Sequence, residues 1–337
     1  MTAHKLTNHK CRYCQSNISF FASTKDYHYD NDGTWNTYRC ENCKHIFQIP
    51  IPTDEELNTF YPDNYYSFSS NKITYSYSFL NSPGVYSRLS FLKRYRNFHH
   101  LQVKNTLLPS LFYRLFFKKP LAYNDPAFVK DGKILDYGSG AGDDVNFYGF
   151  LGWNAQGIEI SKAAVETAKK NNLNIRCGSI EQLEGYKNYY DVVFSCHAFE
   201  HVSNIDELFE KIHQSLKSGG KLSFEVPNGY AAAIDTYQDY YFYLGMPVHI
   251  NLFTPSSVKA ILKKIGFKTV ETATKCSWES QIASYYLKKQ EKNGAPKHNL
   301  KRRFGWKYLA AYFITLPAYL KSLRNGKGDN LVVVATK

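Results

Sequence analysis

Residues 131–161 read DGKILDYGSGAGDDVNFYGFLGWNAQGIEIS, and this stretch decides the fold. A short apolar run ends at Asp136, a loop with glycine at alternate positions follows, and a second acid, Glu159, closes the next apolar run. Because glycine has no Cβ, the backbone N–H groups of such a loop can approach a ligand closely. The stretch therefore predicts a strand, a nucleotide-binding loop, a helix and a second strand.

Strand and helix patterns alternate from Gly132 onward, which predicts a parallel sheet with helices on both faces. The predicted strands are KILDY, NAQGIEI, LNIRC, YDVVFSC, GKLSFEV, FKTVETA and NLVVVAT. The helices between them are GDDVNFYGFLG, SKAAVETAKKN, NIDELFEKIHQSLKSG and TPSSVKAILKKIG, and the last two are expected to end at a glycine. The predicted fold class is α/β, Rossmann-like, with a seven-stranded sheet.

The glycine loop differs from the G-x-G-x-x-G loop of dinucleotide-binding proteins, because Asp143 stands where the third glycine belongs. The carboxylate of Asp136 would repel a pyrophosphate on this loop, whereas it would attract a ligand's ammonium group. The loop therefore favours a nucleoside that carries a positive charge.

Two C-x-x-C pairs lie near the start of the chain, separated by a segment rich in strand formers and turn residues. The four cysteines are Cys11, Cys14, Cys40 and Cys43. Four thiolates at this spacing are typical of a closed tetrahedral zinc site, which has no open position for substrate and is structural. A redox pair would need one C-x-x-C within a βαβ pattern. We expect His28 and His45, which lie nearby, to be surface residues rather than ligands.

Three regions follow from these patterns. Residues 1–67 form the zinc ribbon and a following helix, with Thr53 as its N-cap and acids in its first turn. Residues 68–130 form a basic, aromatic helical connector, in which cations make either an anion-binding face or a solvated helix side. Those cations are Arg88, Lys93, Arg94 and Arg96. Residues 131–337 form the α/β domain, with an insertion at 276–329.

The insertion contains an apolar stripe beside cations. The stripe is Trp306, Leu309, Phe313, Leu316, Leu320 and Leu323, and the cations are Arg302, Arg303, Lys307, Lys321 and Arg324. A basic amphipathic helix over 302–324 is expected to lie on an anionic membrane, to pack on the sheet, or to form a homodimer interface.

The net charge is +13, which favours an anionic partner unless it reflects only a lysine-rich composition. The chain opens without a secretory signal pattern and has no apolar run of about 20 residues, the length a membrane span requires. Most of its seven cysteines indicate metal binding in a reducing compartment. The expected location is cytoplasmic, with the insertion as a possible peripheral contact with the inner face of the membrane.

Five motifs in order resemble class I S-adenosylmethionine-dependent methyltransferases, from Gly132 to the end of the chain. They are ILDYGSGAG, GIEIS, GSIEQL, YDVVFSCHAFEHV and GGKLSFEVPN. The resemblance implies that Asp136, Gly138, Ser139 and Gly140 hold the methionine end of the cofactor. It also implies that Glu159 and Ile160 contact its ribose side, that Ser179 and Ile180 flank the adenine, and that Ser195, Cys196 and His197 line the sulfonium.

A further stretch, HINLFTPSSVKAILKKIGF, resembles a branch of that family that often carries an N-terminal zinc ribbon. Members of this branch methylate deoxysugars of secondary metabolites or sugars of bacterial surface polysaccharides. The resemblance therefore implies a small sugar-like acceptor, nucleotide-linked or lipid-linked, with zinc and S-adenosylmethionine as cofactors.

Methyl transfer to a hydroxyl also requires a proton acceptor. We expect His249 to be this base, with His197 and then His201 as alternatives, since an imidazole titrates near working pH. His201 also belongs to an EHV triplet that is frequent in the superfamily whatever the acceptor.

Alternatively, His197, Glu200, His201 and His249 hold a divalent metal. This set resembles the E-x-x-E-H arrangement of family members that methylate the terminal ribose of small RNAs or quinone precursors. The sequence departs from that arrangement by having His197 in place of the first glutamate, which favours a softer ion or none.

Acceptor recognition is expected in the loop from Asn228 to Phe253, at the carboxyl ends of the strands. Its tyrosines and acids, Tyr237, Tyr240, Tyr241, Tyr243, Asp235 and Asp239, would contact the acceptor, or the loop would form an apolar lid. A nucleic-acid-binding protein with a vestigial cofactor fold is the competing class. The intact Asp136 and Glu159 argue against it, so nucleic acid is not the expected partner.

Overall fold

The computed structural model of the protein describes residues 10–29, 31–61, 126–293 and 306–337. The predicted connector, 68–130, lies outside the described residues except for its last few positions, and so do its four cations. Arg302 and Arg303 of the insertion also lie outside them.

Eleven strands are present in the described part of the chain. They are β1 (Ile18–Thr24), β2 (Trp35–Cys40), β3 (Ile46–Gln48), β4 (Lys133–Tyr137), β5 (Asn154–Glu159), β6 (Ile175–Cys177), β7 (Tyr190–Cys196), β8 (Leu216–Pro227), β9 (Asn251–Leu252), β10 (Thr269–Lys275) and β11 (Asn330–Thr336). All seven strands predicted for the α/β domain are confirmed, as β4 to β8, β10 and β11.

Eight α-helices connect these strands within the described residues. They are α1 (Asp54–Thr59), α2 (Asp143–Phe150), α3 (Lys162–Lys170), α4 (Ile205–Ser215), α5 (Ala232–Tyr237), α6 (Pro255–Ile265), α7 (Trp278–Asn293) and α8 (Trp306–Asn325). The predicted cap of α1 is confirmed, because the Thr53 side chain accepts a hydrogen bond from the Glu56 N–H. The predicted glycine stop is confirmed for α6 at Gly266, which has φ +115°. It is wrong for α4, since the chain passes directly from Ser215 into β8.

The larger sheet has the strand order β10-β11-β8-β7-β4-β5-β6. Strands β6, β5, β4, β7 and β8 are parallel, and β11 runs antiparallel to both β8 and β10. The chain leaves β4 toward β5 on one side and returns to β7 on the other, so the order reverses at β4. Open α/β sheets bind their ligands at such a reversal, beyond the carboxyl ends of the strands.

Helices cover both faces of this sheet. On one face, Phe209 and Ile212 of α4 and Leu262 of α6 join a fully buried cluster with the sheet. On the other face, Phe147 and Tyr148 of α2 pack on the sheet. Both faces are therefore removed from water, as the near-continuous apolar runs of the parallel strands require.

The N-terminal sheet is small and antiparallel, with the order β1-β2-β3-β9. Its last strand comes from the α/β domain, since Ile46 and Phe47 of β3 pair with Leu252 and Asn251. The Thr254 hydroxyl donates to the Cys43 carbonyl oxygen at 2.6 Å, close to this junction. The ribbon is thus continuous with the segment that leads into α6.

The prediction that His45 is a surface residue is wrong, because its side chain is fully buried between the ribbon and the α/β domain. Its Nδ1 lies 3.2 Å from the Ser257 hydroxyl, and its ring contacts Tyr13 and Phe253 edge to face. His28 is half-buried, and its Nε2 donates to the Phe242 carbonyl oxygen at 2.9 Å. Neither histidine is among the four-cysteine cluster.

The insertion folds into α7 and α8, which pack on each other and on α5. Small and polar side chains of α8 face the protein: Ala311, Thr315 and Ser322 are buried. Its large apolar side chains Phe313, Ile314, Leu320 and Leu323 are exposed. None of the helices that the structure describes is long and apolar enough to cross a membrane.

Candidate active site

The glycine loop lies at the reversal point of the sheet, directly after β4. Gly138 has φ +77°, and a Cβ at this position would lie 2.4 Å from the Cβ of Ala198. Only glycine fits there, because the loop passes against the segment that follows β7. This close approach places the loop beside His197, the neighbour of Ala198.

The acid at the end of β5 organises the same loop. Glu159 Oε2 accepts a hydrogen bond from the Gly140 N–H at 2.8 Å, and Oε1 accepts one from the Ser161 N–H at 2.8 Å. Each carboxylate oxygen has a second lone pair. The adjacent Ile160 side chain is 52% exposed, so an acidic and an apolar group stand together at this edge. This pair fits a nucleoside, whose ribose donates hydrogen bonds and whose base is apolar on its faces.

The other predicted cofactor residues surround this edge in different ways. Asp136 is buried at the carboxyl end of β4, and Ser139 is buried in the loop. The Ser179 hydroxyl lies 3.0 Å from the Tyr137 hydroxyl, and Ile180 opens the short 3-10 turn that follows. These residues flank the space beyond β4 and β5.

Two of the residues predicted to line the sulfonium differ in their surroundings. The fully buried Ser195 hydroxyl donates to the Tyr137 carbonyl oxygen at 2.9 Å, so it joins β7 to β4. Cys196 is exposed at the end of β7. The side chain of Cys196, and not that of Ser195, therefore faces the open edge.

His197 follows β7 in a left-handed conformation, with φ +54°. This conformation is unfavourable for a non-glycine residue, and it is held by a hydrogen bond from the His197 N–H to the Glu225 carbonyl oxygen at 2.8 Å. The ring Nδ1 lies 3.2 Å from Oε1 of Glu200. The backbone therefore directs the His197 ring away from the sheet, where it contacts the Glu200 carboxylate.

Glu200 has a fully buried side chain. Burial alone would raise its pKa, but the hydrogen bond from His197 and the neighbouring His201 lower the pKa of Glu200 to about 2. Burial opposes protonation of His197, yet the hydrogen bond and charge of Glu200 outweigh it and raise the pKa of His197 above 6.5. The ionised carboxylate thus holds the Nδ1 proton of His197, which leaves Nε2 as the basic nitrogen.

His249 and His201 stand next to this pair, with ring centroids 4.9 Å apart. His249 Nδ1 lies 2.9 Å from the Tyr243 carbonyl oxygen, and His201 Nδ1 lies 2.9 Å from that of Val248. Because a carbonyl only accepts, each Nδ1 carries a proton, so the lone pair of the neutral ring would be on Nε2. Burial lowers the pKa of His249 to about 3.

Glu200, His201 and His249 each offer one ligand atom, and these atoms lie within 4.8 Å of one another. Oε2 of Glu200 is buried and has no hydrogen-bond partner among the residues that the structure describes. Two imidazoles oriented through Nδ1 by backbone carbonyls, together with one carboxylate oxygen, are a set that can bind a divalent ion. His197 is not one of the three; its Nδ1 instead contacts Oε1 of Glu200.

The ribbon side of the chain contributes to the wall of this site, which the sequence did not predict. The Tyr61 hydroxyl lies 3.0 Å from Nδ1 of His201. The His28 ring stacks on Phe242 at 4.6 Å and lies 5.9 Å from the ring of His249. No spacing in the sequence relates these residues to His201 or His249, because the contact depends on the fold.

Of the loop tyrosines, Tyr243 stacks on the ring of His197 with centroids 5.7 Å apart. Tyr237 and Tyr241 are instead buried in an apolar cluster with Ile46 of the ribbon. Asp235 is exposed and Tyr240 is half-buried. The loop is therefore mainly a packing element between the ribbon and the domain, with Tyr243 as its contact with the site.

A cluster of polar residues that the sequence did not predict lies at the same edge, on β8, β10 and β11. Glu225 forms an ion pair with Lys275 and accepts a hydrogen bond from Asn330 Nδ2 at 2.7 Å. The backbone of Glu225 also accepts the His197 N–H. This group borders His197 on the side away from the glycine loop.

The four cysteines predicted to bind metal are brought together by the ribbon. The Cys11 and Cys43 sulfurs are 3.6 Å apart, and those of Cys14 and Cys40 are 3.4 Å apart. A tetrahedral zinc ion with Zn–S bonds of about 2.3 Å separates its sulfurs by about 3.8 Å, which fits this arrangement. The hydrogen bond from Cys43 lowers the pKa of Cys11 to about 5, whereas the same contact raises the pKa of Cys43.

The strand order, the glycine loop at the reversal point and the acid at the end of β5 define the class I methyltransferase fold. Residues 110–272 match the family model described as "Methyltransferase domain". This region of the chain is therefore a methyltransferase domain, as its sequence motifs implied.

Two curated relatives are named ubiquinone biosynthesis O-methyltransferase. The one from Rickettsia prowazekii (strain Madrid E) is 36% identical over 104 residues, which are 29% of this chain and 40% of the relative. The one from Rickettsia typhi (strain ATCC VR-144 / Wilmington) is 35% identical over 109 residues, 31% of this chain and 43% of the relative. The chain thus spans less than half the length of the curated relatives it matches.

Solved structures with a similar fold include a SAM-dependent methyltransferase from Archaeoglobus fulgidus. It has 19% sequence identity and a TM-score of 0.43, over 68% of this chain and 93% of that chain. An S-adenosylmethionine-dependent methyltransferase from Mesorhizobium loti has 16% identity and a TM-score of 0.42, over 69% of this chain and 99% of that chain.

Proposed function

We propose that the protein transfers a methyl group from S-adenosylmethionine to a hydroxyl of a small sugar-like acceptor. The observation that carries the proposal is the His197–Glu200 pair, held by strained backbone directly beside the glycine loop. A base oriented by a buried carboxylate is the group that methyl transfer to oxygen needs. The match of residues 110–272 to a methyltransferase domain supports the reaction class.

S-adenosylmethionine, when bound, supplies a methyl group already activated by the sulfonium. The chain's own residues then have two tasks: to align the acceptor oxygen with the methyl carbon and to remove one proton. Transfer of that methyl to the acceptor oxygen would leave the sulfur as a neutral thioether and the hydroxyl proton to be taken up by the protein. The acceptor proton passes to Nε2 of His197, and the ionised Glu200 stabilises the resulting imidazolium.

This assignment places His197 before His249 as the base. Burial holds the pKa of His249 at about 3, so its imidazole is a weak base at neutral pH. The pKa of His197 is raised by Glu200, which makes it the stronger proton acceptor. Asp136, Glu159 and Ile160 are proposed to hold the cofactor.

The sugar-like acceptor is favoured by the four-cysteine ribbon together with the resemblance of the segment that begins at His249. In this proposal the acceptor carries a nucleotide or lipid, and the product serves polysaccharide or secondary-metabolite biosynthesis. One zinc ion on the four cysteines stabilises the ribbon and, through β9, the loop that carries His249.

A second candidate is metal-assisted transfer to one of two vicinal hydroxyls, on an RNA ribose or a quinone precursor. The grouping of the Glu200 carboxylate with the imidazoles of His201 and His249 favours it, together with Glu200 Oε2, which has no hydrogen-bond partner among the described residues. The names of the two Rickettsia relatives support a quinone precursor. In this case Glu200, His201 and His249 would hold the ion, which would lower the pKa of an acceptor hydroxyl.

The test combines cofactor binding with turnover. Calorimetry with S-adenosylmethionine should show binding that Asp136→Asn weakens. Turnover is measured on a panel of nucleotide-linked sugars and on catechol, with and without a chelator that has been shown to leave the ribbon's zinc in place. His197→Gln should lose about 10² to 10⁴ in turnover with cofactor binding retained. His213→Gln, in the last turn of α4 against Phe267, should not lose turnover.

Absence of S-adenosylmethionine binding in the wild-type protein contradicts the reaction class. Turnover on catechol that is abolished by chelation and restored by a divalent ion assigns the second candidate. Normal turnover in His197→Gln removes that residue from the reaction.

A further inference from the structure

Helix α8 of the insertion exposes its large apolar side chains and turns smaller side chains toward the protein. Its side facing the protein is made of small and polar residues, since Ala311, Thr315 and Ser322 are buried. The opposite side carries Phe313, which is 69% exposed, and Leu320, which is 51% exposed. Seven residues separate these two, so they lie on one face.

Polar contacts, ring stacking and a small apolar cluster of Ile282, Tyr286 and Ala311 hold α8 on the protein, without the large apolar side chains that are exposed. Trp278 Nε1 donates to the Thr315 hydroxyl at 3.0 Å, and Gln281 Nε2 donates to the Ser322 hydroxyl at 3.1 Å. The Trp278 ring stacks on Tyr319 at 4.3 Å. The orientation of the helix is therefore fixed by specific contacts, and the exposed apolar face is not the result of a loosely placed helix.

Exposed apolar residues are common when single, but a contiguous set indicates a binding surface. On α8 the exposed set is Phe313, Ile314, Leu320 and Leu323, which span about half of the helix circumference. Leaving these side chains in water forgoes the free energy that burial of apolar area supplies. A partner that covers the face would recover it.

The charge on this surface identifies the partner. The chain contains no acidic residue from Lys292 to Gly328, a segment that includes all of α8. Lys321 and Arg324 are exposed beside the apolar residues. In a two-fold pair of copies these cations would face their own equivalents, whereas an anionic lipid surface would attract them.

We propose that the exposed face of α8 docks on an anionic membrane surface, with the helix lying in the plane of the interface. Phe313, Leu320 and Leu323 enter the boundary between headgroups and acyl chains, and Lys321 and Arg324 contact the lipid phosphates. Helix α8 leads into Asp329, whose carbonyl oxygen accepts a hydrogen bond from the Tyr241 hydroxyl in the acceptor loop. Docking of this helix thus brings the acceptor edge of the methyltransferase domain near the lipid.

The test uses the full chain and vesicles of two compositions. Co-sedimentation should show binding to phosphatidylcholine vesicles that contain phosphatidylglycerol, weaker binding to pure phosphatidylcholine, and loss of binding at high salt. The double variant Phe313→Ser/Leu320→Ser should bind the anionic vesicles at least roughly tenfold more weakly than the wild type. Phe20→Ser, which changes a 56% exposed phenylalanine of the ribbon, is the matched control and should bind as the wild type does.

Charge variants keep the test informative if the apolar variant misfolds. Lys321→Glu/Arg324→Glu changes only exposed side chains and should reduce binding to the anionic vesicles by roughly tenfold or more. Equal vesicle binding by the wild type and both double variants overturns the proposal. A second result also overturns it: the wild-type chain binds no vesicle and is a dimer by light scattering, whereas the apolar variant is a monomer. None of these results depends on methyl transfer.

Discussion

The two sheets of this protein are stabilised in different ways. The seven-stranded sheet is buried by helices on both faces, with fully buried residues such as Phe209 and Tyr148 on either side. The ribbon sheet has four strands, of which β9 comes from the α/β domain, and it carries a cysteine cluster. A large sheet can rely on apolar burial, whereas a small one needs a metal or a neighbour.

The ribbon region contributes to one part of the site and not to the other. The glycine loop, Asp136 and Glu159 belong to the large sheet alone. The wall around His201 and His249 includes Tyr61 and His28 from the N-terminal region. Cofactor binding should therefore survive damage to the ribbon, and acceptor chemistry should not.

The largest expected effect comes from removing one ribbon ligand. Cys40→Ser should lose zinc and the order of the ribbon, because three thiolates no longer close the site. Turnover should fall by about 10² or more, since the His249 loop and the Tyr61 wall lose their support. Calorimetry should find affinity for S-adenosylmethionine within about threefold of the wild type, an effect below the scale of one hydrogen bond.

Cys177→Ser is the control, since this cysteine is exposed and is not one of the four in the cluster. A zinc-free Cys40→Ser protein with full turnover would show that the two sheets are functionally independent.

A smaller effect is expected at Gly245, which places His249. Gly245 has φ +53°, and a Cβ there would lie 2.3 Å from Nδ1 of His249. Gly245→Ala should displace the imidazole and reduce turnover by roughly 10². Gly185→Ala is matched for backbone strain, with φ +82°, but its Cβ would meet nothing within 4 Å.

Both glycine variants should lose about 1 kcal/mol of stability from the left-handed conformation. Turnover is expected to fall only in Gly245→Ala, as measured by steady-state kinetics at saturating cofactor. Equal activities in the two variants would mean that the position of His249 is unimportant.

Buried histidines in both regions should make the protein sensitive to acid. Burial lowers the pKa of His45 and of His249 to about 3, from 6.5. Below pH 6.5 the unfolded chain binds the proton and the folded chain does not, so stability falls as pH drops from 6.5 toward 3. Each histidine contributes up to about 1.4 kcal/mol per pH unit in that window.

Glu200 acts in the same direction at lower pH. Its folded pKa of about 2 is below the usual 4.5, so its contribution is present above pH 4.5 and is lost as pH falls toward 2. Thermal melts against pH should show a shallower dependence between pH 6.5 and 3 for His45→Phe and for His249→Phe. An unchanged dependence in both variants would contradict the burial of these rings.

The smallest effect is expected at the ion pair between the ribbon and α4. Arg12 lies 2.8 Å from Asp206, and both side chains are about one third exposed. Solvent screening limits such a pair to about 0–1 kcal/mol. Denaturant unfolding of Arg12→Ala should therefore show little change, and a loss of several kcal/mol would mean that this ion pair, and not the β3–β9 pairing, is the main link between the two regions.

The fold of the large domain was predictable because its signals are local. Strands such as β7 and β11 contain short apolar runs, and the glycine loop is required by the close approach of Gly138 to Ala198. The cysteine cluster was predictable for a similar reason, since two C-x-x-C pairs leave few other arrangements.

The remaining features depend on contacts that sequence periodicity does not contain. Strand β9 is two residues long, too short to have a pattern. His45 is buried by Ser257, which is 212 residues away. Periodicity predicted the apolar face of α8 but not the direction it faces, because polar contacts from Trp278 and Gln281 decide it.

The ionisation of His197 tests the central claim most directly and needs no acceptor. Its imidazole C–H resonance can be assigned by its loss in His197→Gln and followed by NMR as pH changes. We expect a pKa above 6.5 for His197 in the wild-type protein and a lower value in Glu200→Gln, where the carboxylate charge is absent. A wild-type pKa at or below 6.5, or the same value in both proteins, would contradict the assignment of His197 and Glu200 as the catalytic pair.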